Sequence, residues 1–164
     1  DIEFVRADSE HSAISAGVAA VLMGAVAFDA SASVGLTYKG DVLAILDDLR
    51  TQGFVMFIGN REVNANLNIH RGHSDTMLIR DTGFIQLYAT TQQEVYDLGM
   101  IGLLVSLVAS FPVIVAMDGF YLTHTTNLVE LLREEETELL FREVASRYLS
   151  PLFTEEELKE KSTQ

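Results

Sequence analysis

Short apolar runs alternate with longer segments of helical periodicity along most of the chain. Apolar, mostly β-branched or aromatic runs predict strands at residues 2–5, 25–29, 54–58, 83–88 and 113–117. Between them, apolar residues three and four positions apart predict helices at residues 9–24, 41–50, 75–80 and 92–110. This alternation predicts an α/β fold with a doubly wound, mostly parallel sheet covered on both faces.

Polar segments follow several of the predicted strands. Glu10 follows the first strand, residues 31–35 the second, residues 60–75 the third and residues 118–124 the last. The carboxyl ends of parallel strands share one edge, and ligands of open α/β sheets bind beyond that edge. The order of elements therefore predicts that these segments gather into a binding site.

The end of the chain has a different pattern. Residues 130–160 carry ten Glu against four Lys or Arg, with apolar residues at helical spacing. Pro151 ends the helical pattern, and a new helix is predicted to start at Thr154. We therefore divide the chain into a domain at residues 1–127 and an acidic helical tail at residues 128–164. The tail is either a solvated face over a packed stripe or an arm against a partner subunit.

Composition narrows the classes of function. The chain has 164 residues, of which 48% are hydrophobic, and this suits one domain with a substantial core. Its net charge of −13 argues against binding nucleic acid. It contains no cysteine, which excludes disulfides, thiolate nucleophiles and Cys-ligated iron–sulfur clusters in this chain. The default compartment is cytoplasmic.

Two uncharged stretches, residues 13–28 and 98–117, need to be distinguished from membrane spans. Pro112 interrupts the second, which is expected to form a buried helix and then a buried strand. No Lys or Arg flank supports insertion. No membrane segment and no signal peptide are predicted.

Glu10 is the first candidate for chemistry. It starts a helix made almost wholly of Ala, Gly, Ser and Val, which other surfaces can approach closely. A carboxylate beside such an apolar wall can form a strong charge-assisted hydrogen bond to a buried basic ring nitrogen. The alternative is that Glu10 only complements the helix dipole.

Arg61 is the second candidate, because it directly follows a buried strand. A guanidinium in that position needs solvent or an anion. Its planar fork suits a carboxylate bidentately. The partner is either an anionic ligand or a neighbouring Asp or Glu of the chain.

Two further clusters are weaker candidates. His70, His73 and Asp75 have spacings at which zinc can bind, but an intervening glycine breaks helical presentation, so hydrogen-bonded loop residues are expected instead. Asp118 and His124 leave a Ser-His-Asp triad open by spacing alone. No nucleophile elbow, P-loop or dinucleotide-binding glycine motif is present.

Three blocks of sequence together resemble one family. EHSAISAG begins at Glu10, NREVNANLNIHRGHSDTMLIRDTGFIQLY at Asn60 and DGFYLTHT at Asp118. Their order and spacing resemble the α subunit, or first domain, of pyruvate:ferredoxin oxidoreductases over roughly residues 2–127. Members of that family are thiamine diphosphate enzymes that oxidatively decarboxylate 2-oxoacids, pass electrons to iron–sulfur clusters and usually form an acyl-CoA.

The resemblance implies that this chain holds the pyrimidine half of a thiamine site. Glu10 matches the glutamate that hydrogen-bonds the aminopyrimidine ring and promotes deprotonation of the thiazolium carbon. Arg61 matches the arginine that binds the 2-oxoacid carboxylate. The block at residues 73–75 is expected to be structural or interfacial. The matching loop beside the cofactor contains Ser31, Ser33 and Gly35.

Some departures from the family pattern bear on the substrate. The family places small residues after the arginine, whereas this chain has Glu62 and Asn64. This favours a more polar substrate such as oxalate and makes Asn64 a substrate-binding candidate. The family's domain also begins with an earlier strand and loop, so we expect residues to be missing upstream, and its second α/β domain is replaced by the tail.

The expected partners follow from motifs that this chain lacks. Neither the magnesium–diphosphate motif nor cluster-binding cysteines occur in it. A β-type subunit is therefore expected to bind Mg2+ and the diphosphate, other subunits to carry the iron–sulfur clusters, and ferredoxin to accept the electrons. Alone, the chain is expected to be inactive. The alternatives are a non-catalytic assembly subunit with the same fold and a thiamine enzyme that makes no CoA ester.

Overall fold

The structure, a computed structural model, describes residues 2–63 and 68–149, apart from the side chains of Asp47 and Leu149. Within those residues the strands form one parallel sheet in the order β1-β2-β4-β3. The strands are β1 Ala27–Ser31, β2 Phe54–Asn60, β3 Ile85–Ala89 and β4 Val113–Asp118. The predicted parallel α/β architecture is therefore confirmed.

Helices cover both faces of the sheet. They are α1 Glu10–Leu22, α2 Ser33–Thr37, α3 Gly40–Asp48, α4 Ser74–Leu78, α5 Gln92–Ala109 and α6 Gly119–Thr123. Gly17 of α1 lies against Phe54 on one face, whereas Gly102 of α5 lies against Val113 on the other. Right-handed crossovers that move in opposite directions lie on opposite faces. The crossover from β1 to β2 carries α3 on the α1 face, so α5, which returns the chain from β3 to β4, lies on the other face.

Most of the buried apolar core lies on the α1 face. Its members come from α1, α2, α3 and alternate positions of β2 and β4, and include Ile14, Leu36, Leu43, Met56 and Ile114. The alternation follows from the strand period of two, which sends successive side chains to opposite faces. The apolar strands are therefore covered by helices on both faces, as the sequence predicted.

Local hydrogen bonds define where α1 begins. Ser9 Oγ accepts from the Ser12 N–H at 3.2 Å, and Ser12 Oγ accepts from the Ser9 N–H at 3.0 Å. This reciprocal arrangement is a capping box, which satisfies two backbone donors at the helix start. Glu10 is consequently the first residue of α1.

Two predictions of local structure were wrong. Residues 2–5 form no strand, and Phe4 is 87% exposed. An apolar run needs a neighbouring strand to satisfy its backbone groups, and none pairs with it here. β1 lies at Ala27–Ser31 instead of residues 25–29, and the short helix α2 begins within the polar segment at residues 31–35. In the register of β1 with β2, Ala27 lies opposite Phe54, and both residues belong to the buried core.

The described residues fall into two compact units, residues 5–129 and a second formed by residues 2–4 and 130–149. In the second, α7 Glu134–Val144 is followed by a π-helical turn, Ala145–Leu149. No residue of α7 is buried, and Arg133 pairs with Glu136 at 2.8 Å. The break predicted at Pro151 and the helix start at Thr154 lie outside the described residues. Among the helices described, none has the length and apolar character needed to cross a membrane.

Candidate functional site

Three strands end side by side at one edge of the sheet. Ser31 ends β1, Asn60 ends β2 and Asp118 ends β4, and Asn60 lies opposite Asp118 in the parallel register. The chain leaves the sheet at these points into α2, the loop before α4, and α6. The described parts of the polar segments at residues 31–35, 60–75 and 118–124 are therefore found at the carboxyl edge, as predicted.

Glu10, Ser31 and Gly35 lie close together at this edge. A Cβ atom added to Gly35 would lie 2.9 Å from Glu10 Oε1 and 3.0 Å from Ser31 Oγ. With glycine at position 35, α2 approaches both side chains without displacing either of them. Ser31 Oγ is buried and has no hydrogen-bond partner in the described structure. The structure thus brings three predicted cofactor-site residues together and leaves a polar atom among them available to a ligand.

A cavity of about 350 Å³ opens beside Glu10. Glu10 is exposed, which differs from the enclosed carboxylate that the sequence indicated. The reason is its position at the first turn of α1, beyond the packed core. The cavity is lined mainly by small and polar residues, namely Val5, Ala7, Asp8, Ser9, Glu10, Ala13, Ala30 and Lys39.

Lys39 is an unexpected member of that lining, because its side chain is completely buried. Its ammonium group donates a hydrogen bond to Asp29 Oδ2 in β1, whose side chain is 11% exposed. A buried charge is tolerated when it has a partner of this kind. Sequence reasoning missed the pair, although Asp29 in an otherwise apolar strand was a signal for it.

Next to Glu10, a surface contact ties α1 to α3. His11 Nε2 lies 3.2 Å from Asp41 Oδ2, and the two side chains hydrogen-bond. This bond, followed by one from the Val42 backbone N–H, lowers the pKa of Asp41. The turn of α1 that presents Glu10 is therefore held by the first turn of α3.

Asp75, a completely buried carboxylate, joins three segments of the edge. Asp75 Oδ2 accepts hydrogen bonds from the backbone N–H of Ser33 at 3.1 Å and that of Arg61 at 3.0 Å. Asp75 Oδ1 accepts from Asn60 Nδ2 at 2.8 Å and from the Thr76 N–H at 2.9 Å. Four N–H donors thus stabilise the carboxylate in the position where a counter-ion would otherwise be needed.

Arg61 lies beside this network at the end of β2. Its Nε is buried without a hydrogen-bond partner, and the ion pairs found among the described residues do not include it. Its stem packs on Gly119, where an added Cβ would lie 3.3 Å from Arg61 Cγ and 2.5 Å from the Asn60 carbonyl oxygen. A neighbouring carboxylate is therefore not its partner in the described structure, and its guanidinium suits an anionic ligand.

The last two predicted site residues are Ser33 and Asn64. Ser33 is buried, and its N–H donates to Asp75 while its Oγ lies 3.4 Å from the Glu62 carbonyl oxygen. It therefore belongs to the supporting network. Asn64, the other predicted substrate-binding residue, lies outside the described residues.

The histidines of the edge make ring contacts and one close contact with a carboxylate. His73 Nε2 lies 3.4 Å from Asp118 Oδ1. His70 packs edge-on against Phe120, whose ring stacks on His124. In the part of the chain that the structure describes, no three His, Cys, Asp or Glu side chains form a group suited to a metal ion.

A parallel sheet with a glycine-lined carboxylate at its carboxyl edge, beside an arginine that has no ion-pair partner among the described residues, defines an α/β ligand-binding domain. Residues 1–158 match the family model described as pyruvate flavodoxin/ferredoxin oxidoreductase, thiamine diphosphate-binding. The chain belongs to this family.

Curated relatives agree with the family match. The chain is 41% identical to the pyruvate synthase subunit PorA of Pyrococcus abyssi, over 92% of this chain and 39% of that protein. It is 36% identical to the PorA subunit of Thermotoga maritima, over 89% and 38% respectively. It is 33% identical to the ketoisovalerate oxidoreductase subunit VorA of Pyrococcus furiosus, over 82% and 34%. The chain thus spans about two fifths or less of the relatives it matches.

Proposed function

We propose that this chain is the pyrimidine-binding part of the α-type subunit of a 2-oxoacid:ferredoxin oxidoreductase that acts on pyruvate or another small 2-oxoacid. The observation that carries the proposal is the meeting of Glu10, Ser31 and Gly35 at the carboxyl edge, in a chain of a thiamine-diphosphate-binding family. The names of the relatives, pyruvate synthase and ketoisovalerate oxidoreductase, support a 2-oxoacid substrate. In this proposal residues 1–127 form the cofactor-binding domain and residues 128–164 the acidic tail.

The residues present suit the pyrimidine half of thiamine diphosphate. Glu10 is exposed to a cavity and offers a carboxylate for a charge-assisted hydrogen bond to a ring nitrogen. Ser31 offers an unsatisfied buried hydroxyl, and Gly35 leaves space beside both. When bound, the cofactor supplies the carbanion that adds to the carbonyl carbon of the 2-oxoacid.

The work of this chain's own residues is proton control and substrate orientation. Glu10 exchanges a proton with the pyrimidine ring, which is general acid–base chemistry and contributes about 10²–10⁴-fold in rate. Arg61 binds the substrate carboxylate through its planar fork. Asn64 is proposed to contact the same substrate, and with Glu62 it would favour a more polar acid such as oxalate.

Partner chains complete the proposed enzyme. The chain has no cysteine and no magnesium–diphosphate motif. A β-type subunit would bind Mg2+ and the diphosphate, further subunits would carry iron–sulfur clusters, and ferredoxin would accept the electrons in the cytoplasm. CoA is the proposed acyl acceptor.

The decisive test is Glu10→Gln in the complete complex, with Glu135→Gln as the matched control on the exposed first turn of α7. We expect Glu10→Gln to lower pyruvate-dependent reduction of ferredoxin at least 100-fold, and the control to leave it unchanged. Thiamine diphosphate content is measured in the same samples. Full activity of Glu10→Gln, or a native complex without thiamine diphosphate, would refute the proposal and favour an assembly subunit that has kept the fold.

A further inference from the structure

The proposed chemistry leaves one buried carboxylate of the edge without a role. We infer that Asp75 is a positioning residue, which holds the substrate arginine Arg61 and the cofactor loop at Ser33 at a set separation. The inference rests on the proposed function, because it assigns Asp75 to the same site. It goes further by coupling substrate binding to cofactor binding through one atom.

That atom is Asp75 Oδ2. It accepts from the Ser33 N–H at 3.1 Å and from the Arg61 N–H at 3.0 Å. Ser33 starts α2 after β1, whereas Arg61 follows β2, so the oxygen bridges two neighbouring strand ends. Bonds to an ionised acceptor are stronger than neutral ones, and complete burial of Asp75 protects them from competing water. The bridge therefore sets the spacing of the two segments.

The Ser33 side of the bridge holds an unusual backbone conformation. Ser33 has a φ of 48°, in the left-handed region that a non-glycine residue rarely adopts. Such a conformation persists only where surrounding contacts enforce it, and the Asp75 bond is one that does so. Gly35 follows two residues later and passes close to Glu10. Release of Ser33 would therefore shift Gly35 away from the position that brings it beside the carboxylate.

The Arg61 side is anchored at two residues, Arg61 and Val63. The Arg61 N–H donates to Asp75, and the Val63 N–H donates to Ser74 Oγ at 3.0 Å. Both acceptors lie in the first turn of α4. Without them, the chain beyond β2 would be free to change the direction in which the Arg61 guanidinium points.

Because Asn60 can reverse its side-chain amide, Asp75→Asn is a conservative variant. Asn60 Nδ2 donates to Asp75 Oδ1, while Asn60 Oδ1 is buried and has no partner among the described residues. In Asp75→Asn, a half-turn of the Asn60 amide lets Asn60 Oδ1 accept from the new NH2 group. The remaining oxygen of the new amide still accepts from Ser33 and Arg61, whereas the Thr76 N–H and Thr76 Oγ1 each lose a partner. Asp75→Ala removes all four bonds to the carboxylate.

A matched control exists at the opposite end of β2. Ser106 is also completely buried, and its Oγ accepts from the N–H groups of Gly53 at 3.0 Å and Phe54 at 3.1 Å. Ser106→Ala therefore removes another buried side-chain acceptor of two backbone N–H groups, far from the carboxyl edge. It reports the effect of a merely structural loss.

The experiment compares the three variants in the complete complex. We measure KM for pyruvate, the dissociation constant of thiamine diphosphate, and hydrogen exchange of the peptides that contain Ser33 and Arg61 before cofactor is added. Asp75→Ala is expected to raise KM and the dissociation constant at least tenfold and to speed exchange in those two peptides. Asp75→Asn is expected to stay within threefold of the wild type in both constants, and Ser106→Ala to leave both unchanged.

Each other outcome has a defined meaning. Wild-type constants in Asp75→Ala, or equal losses in Asp75→Ala and Asp75→Asn, would overturn the inference. If Asp75→Ala fails to assemble, Ser74→Ala, which releases only Val63, is expected to raise KM about threefold, and no change would overturn the inference. A wild-type complex that binds no thiamine diphosphate would refute the proposed function itself, and faster exchange in the two peptides would then test the bridge alone.

Discussion

Gly35→Ala tests whether the candidate site needs glycine at a position where the fold does not. Gly35 lies inside α2 and its φ is not in the left-handed region, so its backbone accepts an alanine. Alanine is favoured over glycine in a helix by about 1 kcal/mol. The new methyl group would nevertheless lie 2.9 Å from Glu10 Oε1 and 3.0 Å from Ser31 Oγ. We expect the fold to tolerate the change and the site to lose function.

The size of the effect follows from these distances. Ordinary contact between carbon and its neighbours begins at about 3.5 Å, so a methyl group placed 2.9 Å from Glu10 Oε1 is about 0.6 Å too close. Glu10 is exposed and relieves the contact by moving its carboxylate. Clearing this overlap moves the carboxylate by at least about 0.6 Å. Since a displacement of about 1 Å at a reacting group costs about 100-fold in rate, the expected loss reaches up to about 100-fold, or about 2.7 kcal/mol of transition-state stabilisation.

The assay is performed on the reconstituted complex, with kcat/KM for pyruvate, thiamine diphosphate affinity and thermal unfolding measured on the same preparations. Gly40→Ala is the control, because Gly40 starts the next helix and an added Cβ there meets no atom within 4 Å. We expect Gly35→Ala to lose about 10- to 100-fold in kcat/KM with a melting temperature close to that of wild type. Gly40→Ala should retain full activity. Full activity of Gly35→Ala would refute the argument, since the pyrimidine site could not then require that space.

Two further predictions concern charge pairs. Lys39→Met leaves Asp29 buried without its partner and should lower the free energy of unfolding by about 3–5 kcal/mol. In chemical denaturation, the double variant Asp29→Asn with Lys39→Met should recover most of that loss. No recovery would contradict the pairing. Since His11 lowers the pKa of Asp41, their contact stabilises the protein above the ordinary carboxyl value of 3.8 and is lost as the pH falls through the lower folded-state pKa. His11→Ala should raise the pKa of Asp41 toward 3.8 in an NMR titration, and an unchanged value would exclude the contact.

The fold was predictable wherever the local pattern and the tertiary environment agree. β2 and β4 are continuous apolar runs because both their faces are buried, and their strands were predicted within two residues. The run at residues 2–5 has similar composition but no neighbouring strand, so it forms none. A strand depends on its partner as well as on its own sequence, and local pattern carries no information about the partner.

The residues of the candidate site were more predictable from the sequence than the contacts between them. Glu10 was singled out by its place at the start of a small-residue helix, and Ser31 and Gly35 by the resemblance to the family. The structure places the three together. The exposure of Glu10 and the burial of Ser33 were not foreseen, because both depend on how α1 and α2 pack at the sheet edge. The role of Asn64 remains a prediction.

The sequence by itself determined the class of fold, the position of most helices and strands, and the residues that lie at the carboxyl edge, because hydrophobic period and chain order are local properties. Only the tertiary structure decided that one oxygen of Asp75 meets both Ser33 and Arg61, which lie 42 and 14 positions away. It likewise decided that Lys39 is buried against Asp29. Such contacts depend on the strand order β1-β2-β4-β3, which brings distant segments to the same edge. Hydrogen bonds between them form only after the sheet and its helices have excluded water.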